Sequence, residues 1–273
     1  MRALRETREA VPRGCGERMT DCQRSKVSHN LQTSYIAAIS IKMSDVTQQV
    51  TQLNYYQVPG RGEVLRLMLR IGGIDHKDNY ISSKAWKSGL KQKTRWQVIP
   101  TMDFPSHNRS AGMSRALLRY LGRTVIVEGS PLSPQDPIEA LLCDECMDYL
   151  GEDIWGTLIR YLLGEKDAEE IAKKFLAPKG KITLMLDELE SNMEGTSSLL
   201  SSGKLCTFDV YLFAAIGWFG SGFMTTHLTV ERLLENRPRL CEICQRVGNL
   251  PAVKEFYADP MNKIVMNGAY SKL

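Results

Sequence analysis

No apolar run in the 273 residues approaches the ~18–20 that a membrane span requires. The longest, Val210 to Phe219, is too short and carries Tyr211 and Gly217. A membrane partner is therefore not expected. The body of the chain also lacks a net charge. Residues 1–42 hold eight Lys/Arg against four acids, which accounts for the whole formal charge of +4; the remainder balances twenty-seven of each sign. A pI near 8.6 is thus a property of the N-terminal stretch, and a nucleic-acid partner is not expected. Internal repeats and long low-complexity tracts are absent as well.

The seven cysteines are an odd number with no secretory signal ahead of them, which argues against a disulfide framework. Free thiols in a reducing, cytoplasmic setting suit the count. Two C-x-x-C pairs, Cys143/Cys146 and Cys241/Cys244, have zinc-like spacing. They lie in helix-periodic runs, EALLCDECMDYL and RPRLCEICQRV, without the Gly-rich knuckle of a zinc ribbon. The helical reading is preferred, and no metal is expected.

What is present falls into two patterns. Residues 1–48 lack sustained periodicity and are expected to be a poorly ordered basic extension. Its acids weaken a transit-peptide reading; Met43 reads like a natural start just ahead of a first strand, so a targeting segment and a mispredicted start both stay open. Leu53 to Val58 reads as a strand ending at Pro59-Gly60. In RGEVLRLMLRIGG, Val64, Leu67, Met68 and Ile71 fall at i, i+3, i+4, i+7, an amphipathic helix closed by Gly72 or Gly73. Strands over His76 to Ile81 and Ile99 to Phe104, a weak one at Asn108 to Ala111, and a helix from Met113 to Leu121 follow, with a loosely helical stretch at Trp86 to Lys93. This β-α-β-α-β-β-α order is that of a thioredoxin-like half. Residues 123–132 read as a turn-rich linker. Beyond Pro137 every long periodic segment is helical, and Phe208 to Phe219 is apolar on nearly all sides, as a buried central helix would be.

The fold class expected is α/β plus all-α. A thioredoxin-like domain spans 49–124, an all-α domain spans 131–262, and a tail covers 263–273.

Five segments in this order resemble the cytosolic glutathione transferases of the Tyr-dependent sigma and mu types, relatives of glutathione-dependent prostaglandin D synthase. They are QLNYYQVPGRGEVLRLMLRIGGI, AWKSGLKQKTRWQVIPTM, MSRALLRYLGR, TFDVYLFAAI and NRPRLCEICQRVGNLPAVKEFY. The resemblance covers roughly residues 50 to 262. It implies an enzyme that uses glutathione as co-substrate and activates its thiolate for attack on small hydrophobic electrophiles. A glutathione-dependent isomerase or peroxidase, or a non-catalytic ligand-binding or structural member, is the alternative. It also implies a homodimer, with the electrophile pocket and the dimer contacts in the helical half.

Residue by residue, the resemblance makes Tyr55 the donor of a hydrogen bond to the thiolate, and Arg61 the nearby cation favouring the anion. A thiol at its ordinary pKa is only a few per cent thiolate at neutral pH, and stabilising the anion by ~2–3 kcal/mol lowers that pKa by about two units. Read from the strand alone, Tyr55 and Tyr56 would point to opposite faces. Ile99-Pro100 matches a strand entry where a cis-proline turns backbone towards the cysteinyl unit. Met113 and Ser114 open a helix whose N–H groups suit the γ-glutamyl carboxylate, and Trp86 with Lys91 matches the pair meeting the glycine end. An insertion leaves Lys91 and Lys93 as alternatives. Glu152, or Asp153, falls where the family reaches across a dimer to the ligand's ammonium; Asp148, four residues earlier, otherwise reads as part of a solvated acidic face.

Two departures stand out. Met113 occupies a position commonly Gln or Glu, and Cys206 occupies the cap of the buried helix, whose start is expected to lean on Thr207 or to be weakened. The electrophile pocket is sought around Val58 and along Trp155 to Tyr161.

Overall fold

The computed structural model describes residues 50–193, 199–200, 202–259 and 262. The N-terminal extension and the tail after 262 lie outside the described residues.

Strands β1 (Thr51–Tyr55), β2 (His76–Tyr80), β3 (Thr101–Phe104) and β4 (Arg109–Gly112) form one sheet in the order β2-β1-β3-β4. β1 and β2 are parallel, joined through helix α1 (Gly60–Ile71), while β3 and β4 add an antiparallel hairpin. A single βαβ unit completed by a hairpin and a further helix, α2 (Ser114–Thr124), is the thioredoxin-like arrangement. Leu53 and Met102 face one another across β1 and β3, both fully buried. Burial of each stabilises by roughly 1.5–3 kcal/mol.

The expected amphipathic α1 is present, but its buried surface is wider than one stripe. Val64, Leu67 and Met68 are joined in the interior by Leu65, Leu69 and the charged Glu63 and Arg66. The reason is tertiary. The helix is covered by the sheet on one side and by helices of the C-terminal half on the other, and Tyr257 donates a hydrogen bond to Glu63 from 194 residues away. Arg66 answers Glu63 at 3.1 Å and Asp78 at 2.8 Å.

The stretch read as a linker carries a small hairpin, with Ile126 opposite Pro131 and Val127 opposite Ser130. Glu128 and Gly129 both take positive φ, the backbone a two-residue hairpin turn needs. Composition alone signals a turn here and not the pairing.

After it come α3 (Pro137–Asp148), a π-helical stretch over Tyr149–Ile154, α4 (Trp155–Leu162), α5 (Ala168–Leu176), α6 (Lys181–Ser191), α7 (Thr207–Phe219), α8 (Val230–Leu234), α9 (Pro238–Gly248) and α10 (Pro251–Ala258). Asp136 caps α3 by accepting from the N–H groups of Ile138 and Glu139, as an N-terminal carboxylate does. All thirteen residues of α7 are buried. Its start does not lean on Thr207, whose hydroxyl is buried without a hydrogen-bond partner among the described residues. Asp209 closes it, accepting from the backbone N–H of Cys206 at 2.9 Å and of Leu199 at 3.2 Å. The Cys206 side chain accepts from the Asp209 N–H in return, so the two make a reciprocal cap in spite of the cysteine.

Candidate active site

Tyr55 ends β1, and its ring lies over the start of α1. A Cβ built on Gly60 would sit 2.7 Å from the Tyr55 hydroxyl oxygen, and one on Gly62 would sit 2.5 Å from Cδ1 of its ring. These two glycines make the seat for the phenol, and Gly60 also takes φ +43°. The signal in the sequence is the P-G-R-G spacing just after the tyrosines.

The backbone N–H of Arg61 donates to the Tyr55 hydroxyl at 3.2 Å. Burial pushes the Tyr55 pKa up; the Arg61 N–H and the charges of Arg61 and Arg66 pull against it without reversing it. The phenol therefore stays protonated at neutral pH. With its oxygen accepting from Arg61, its own O–H is left to donate. Tyr56 lies past the end of the strand, its ring centroid 5.6 Å from that of Tyr55. The alternation argument for opposite faces therefore stops at Tyr55.

A cavity of about 450 Å³ opens beside this start of α1. Its wall contains five residues singled out from the sequence or by its resemblance: Arg61, Ile99, Met113, Ser114 and Glu152. The Ile99–Pro100 peptide is cis. Pro100 is buried just behind Ile99, and Ser114 is the first residue of α2. Met113 holds the cap position with φ +71°, is 53% exposed, and makes no side-chain cap hydrogen bond.

Tyr55 is not itself part of this wall and meets it through Arg61; Trp86 and Lys91 do not enter the wall either. They lie in a run of short helical turns, Ser83–Ala85, Trp86–Leu90 and Lys91–Lys93, broken at Ser88 and Gly89. Trp86 is half-buried there, and Lys91 and Lys93 are both exposed.

Several wall residues were not legible as such. Arg115 and Arg119, one turn apart on α2, face acids one turn apart on α3 and the stretch after it. Arg115 pairs with Asp148 at 3.2 Å and with Glu152; Arg119 pairs with Asp144 at 2.9 Å and with Asp148 at 3.0 Å. The acidic face is partly exposed, as read, but it also forms an ion-pair ladder, and Glu152 is engaged within its own chain. Matching i, i+4 runs of opposite sign were the available signal.

Tyr211 is the other unanticipated member. It comes from the middle of α7, stacks on Trp155 with centroids 5.8 Å apart, and presents its hydroxyl to the cavity beside Gly151. Burial pushes its pKa up to about 12. The Arg61 guanidinium carbon lies 6.0 Å from the centre of the Trp155 ring, and its charge acts on both Tyr55 and Tyr211.

Of the segments searched for an electrophile pocket, Trp155 and Leu158 are fully buried packing residues. The Val58 carbonyl is bound by Arg66 at 3.2 Å. The C-x-x-C cysteines all lie on α3 and α9 as free thiols. Burial pushes the Cys146 thiol up to about 12, which suits packing and not nucleophilic chemistry. Among the described residues no helix is long and apolar enough to cross a membrane.

No protein-family profile matches the chain. It is 25% identical over 214 residues to glutathione S-transferase 1 of Ascaris suum, covering 76% of this chain and 95% of the relative. It is 26% identical over 211 residues to the class-mu 28 kDa glutathione S-transferase isozyme of Schistosoma mansoni, covering 72% and 94%. The fold is shared with the solved prostaglandin synthase D of Nilaparvata lugens, at a TM-score of 0.62 and 21% identity over 77% of this chain and 98% of that one. In sequence and in architecture the chain is thus similar to the cytosolic glutathione transferases.

Proposed function

We propose that this chain is a glutathione transferase that binds glutathione in the cavity at the start of α1 and activates its thiol for attack on small hydrophobic electrophiles. The observation that carries the reading is the setting of Tyr55: it is seated on two glycines and accepts from the Arg61 N–H, and burial pushes its pKa up, so that its own O–H is left to donate. A sulfur placed against that hydroxyl receives a hydrogen bond in a partly dry setting. The bond stabilises the thiolate over the thiol and lowers the thiol's pKa.

Arg61 adds a positive charge near the same point. Ile99 and Ser114 would hold the peptide part, the α2 start taking the γ-glutamyl carboxylate. Trp86 with Lys91 or Lys93 would approach the glycine end from the neighbouring turns. In this reading residues 49–124 carry glutathione, while residues 131–262 supply the electrophile pocket and the contacts of a homodimer. Glu152 would serve the ligand's ammonium from the partner subunit, and the protein would work in the cytoplasm.

An isomerase or peroxidase would use the same activated thiolate. A non-catalytic role has one observation in its favour: Met113, at the cavity wall, has no strong hydrogen-bonding group to offer the ligand.

The test is retention on immobilised glutathione followed by turnover of chlorodinitrobenzene. Retention with turnover is the expected result. Retention without turnover would select the non-catalytic reading, and loss of both would defeat the proposal.

A further inference from the structure

From Asn79 to Val127 the chain carries nine Lys/Arg against a single acid, Asp103, although the body as a whole is balanced. Two of the nine, Arg115 and Arg119, are absorbed by the ladder to α3. Five others lie within twelve residues: Lys84, Lys87, Lys91, Lys93 and Arg95 are all exposed, and none takes part in an ion pair among the described residues.

The same segment ends in Trp96, which is 66% exposed. Trp96 and Gln97 both sit in left-handed backbone, at φ 59° and 52°. A bulky side chain is rarely found there, and strain of this kind persists where the fold or its function holds it. Among the described residues the indole is left largely open, with the guanidinium of Arg95 5.3 Å from its ring centre.

The topology places this segment. Tyr55 and Tyr80 are register partners at the ends of parallel strands, and β3 begins opposite Asn54. Residues 81–100 therefore connect β2 to β3 at the same end of the sheet as Tyr55, and their last part, Val98 and Ile99, lines the cavity described above.

We propose that this edge is a peripheral docking surface for an anionic lipid bilayer, with Lys84, Lys87 and Arg95 against the headgroups and Trp96 entering the interface. Unpaired cations attract an anionic leaflet, and Trp favours the boundary between headgroup and acyl chain. Lysines set beside one projecting indole fit a surface of mobile charges better than a nucleic-acid groove, where several stacked aromatics would be needed. Resting on the transferase reading, the placement has a use: hydrophobic electrophiles dissolve in membranes, and docking by this edge brings the site to them. The expectation of no membrane partner was drawn from the lack of a span, and a peripheral contact needs none.

The experiment is co-sedimentation of the full chain with vesicles of phosphatidylcholine alone or of phosphatidylcholine with phosphatidylserine. The expected result is at least about tenfold more binding to the anionic vesicles, abolished by high salt. It should be lost in the triple variant Lys84→Glu/Lys87→Glu/Arg95→Glu. Trp96→Gly should weaken binding without lowering the melting temperature, since glycine accepts the left-handed backbone.

Equal binding to neutral vesicles would overturn the proposal. So would full binding by the triple variant, which would assign the affinity to the basic residues 1–42, and so would a preference for duplex DNA over vesicles. Retention of every protein on immobilised glutathione is scored separately. Failure there defeats the transferase reading and leaves the vesicle result to be judged alone.

Discussion

Replacing Tyr55 by phenylalanine removes one O–H donor and leaves the ring on its glycine seat. If that hydroxyl stabilises the thiolate of bound glutathione, one hydrogen bond to an anion is lost, worth ~1.5–3 kcal/mol. That corresponds to about one to two pKa units of the bound thiol. The Arg61 N–H also loses its acceptor, but it lies at an exposed helix start, where water replaces the partner at small cost.

The assay is the ultraviolet absorbance of the thiolate in the binary complex, titrated from acidic to alkaline pH alongside turnover of one electrophile. The sign follows from the mechanism. A thiol pKa held low by Tyr55 keeps the wild type active down to lower pH, so the variant's profile moves to higher pH. Turnover at neutral pH should then drop by roughly tenfold or more, with glutathione affinity little changed because the carboxylates are held elsewhere. Tyr56→Phe should leave the titration unmoved. An unshifted titration in Tyr55→Phe, or a shift in Tyr56→Phe instead, would refute the assignment.

Two further substitutions probe the support of the site. Gly62→Ala places a methyl 2.5 Å from the Tyr55 ring. It should cost ~1–3 kcal/mol of stability by overpacking and reduce turnover more than glutathione affinity; a variant with wild-type kinetics would show that the seat does not matter. Arg66→Met leaves the buried Glu63 without its guanidinium partner and frees the Val58 and Tyr56 carbonyls. Breaking such a pair should cost about 3–5 kcal/mol by denaturant unfolding, and Glu63→Leu/Arg66→Met together should cost less than Arg66→Met alone. A double variant weaker than the single one would contradict this.

Much of the local order was legible because short-range physics sets it. The Leu53 strand, the α1 periodicity with its closing glycines, the apolar α7 and the change to purely helical periodicity after Pro137 each follow from spacing within one element. The six-residue interval from Tyr55 to Arg61 spans one tight turn, so their meeting is close to a local property as well.

What escaped depends on segments distant in the chain. Glu63 and Arg66 read as polar positions of an amphipathic helix, and only the approach of Tyr257 and Asp78 turns them into a buried network. Asp148 reads as part of a solvated face and Glu152 as a ligand contact; their pairing with Arg115 and Arg119 arises only when α2 is brought against them. Tyr211 reads as core because α7 is apolar throughout, yet its hydroxyl emerges where the two halves leave a gap. Periodicity reports which side of a helix is greasy. Which charged or phenolic group ends up facing a cavity is decided by the packing of one helix on another, and no single segment encodes that.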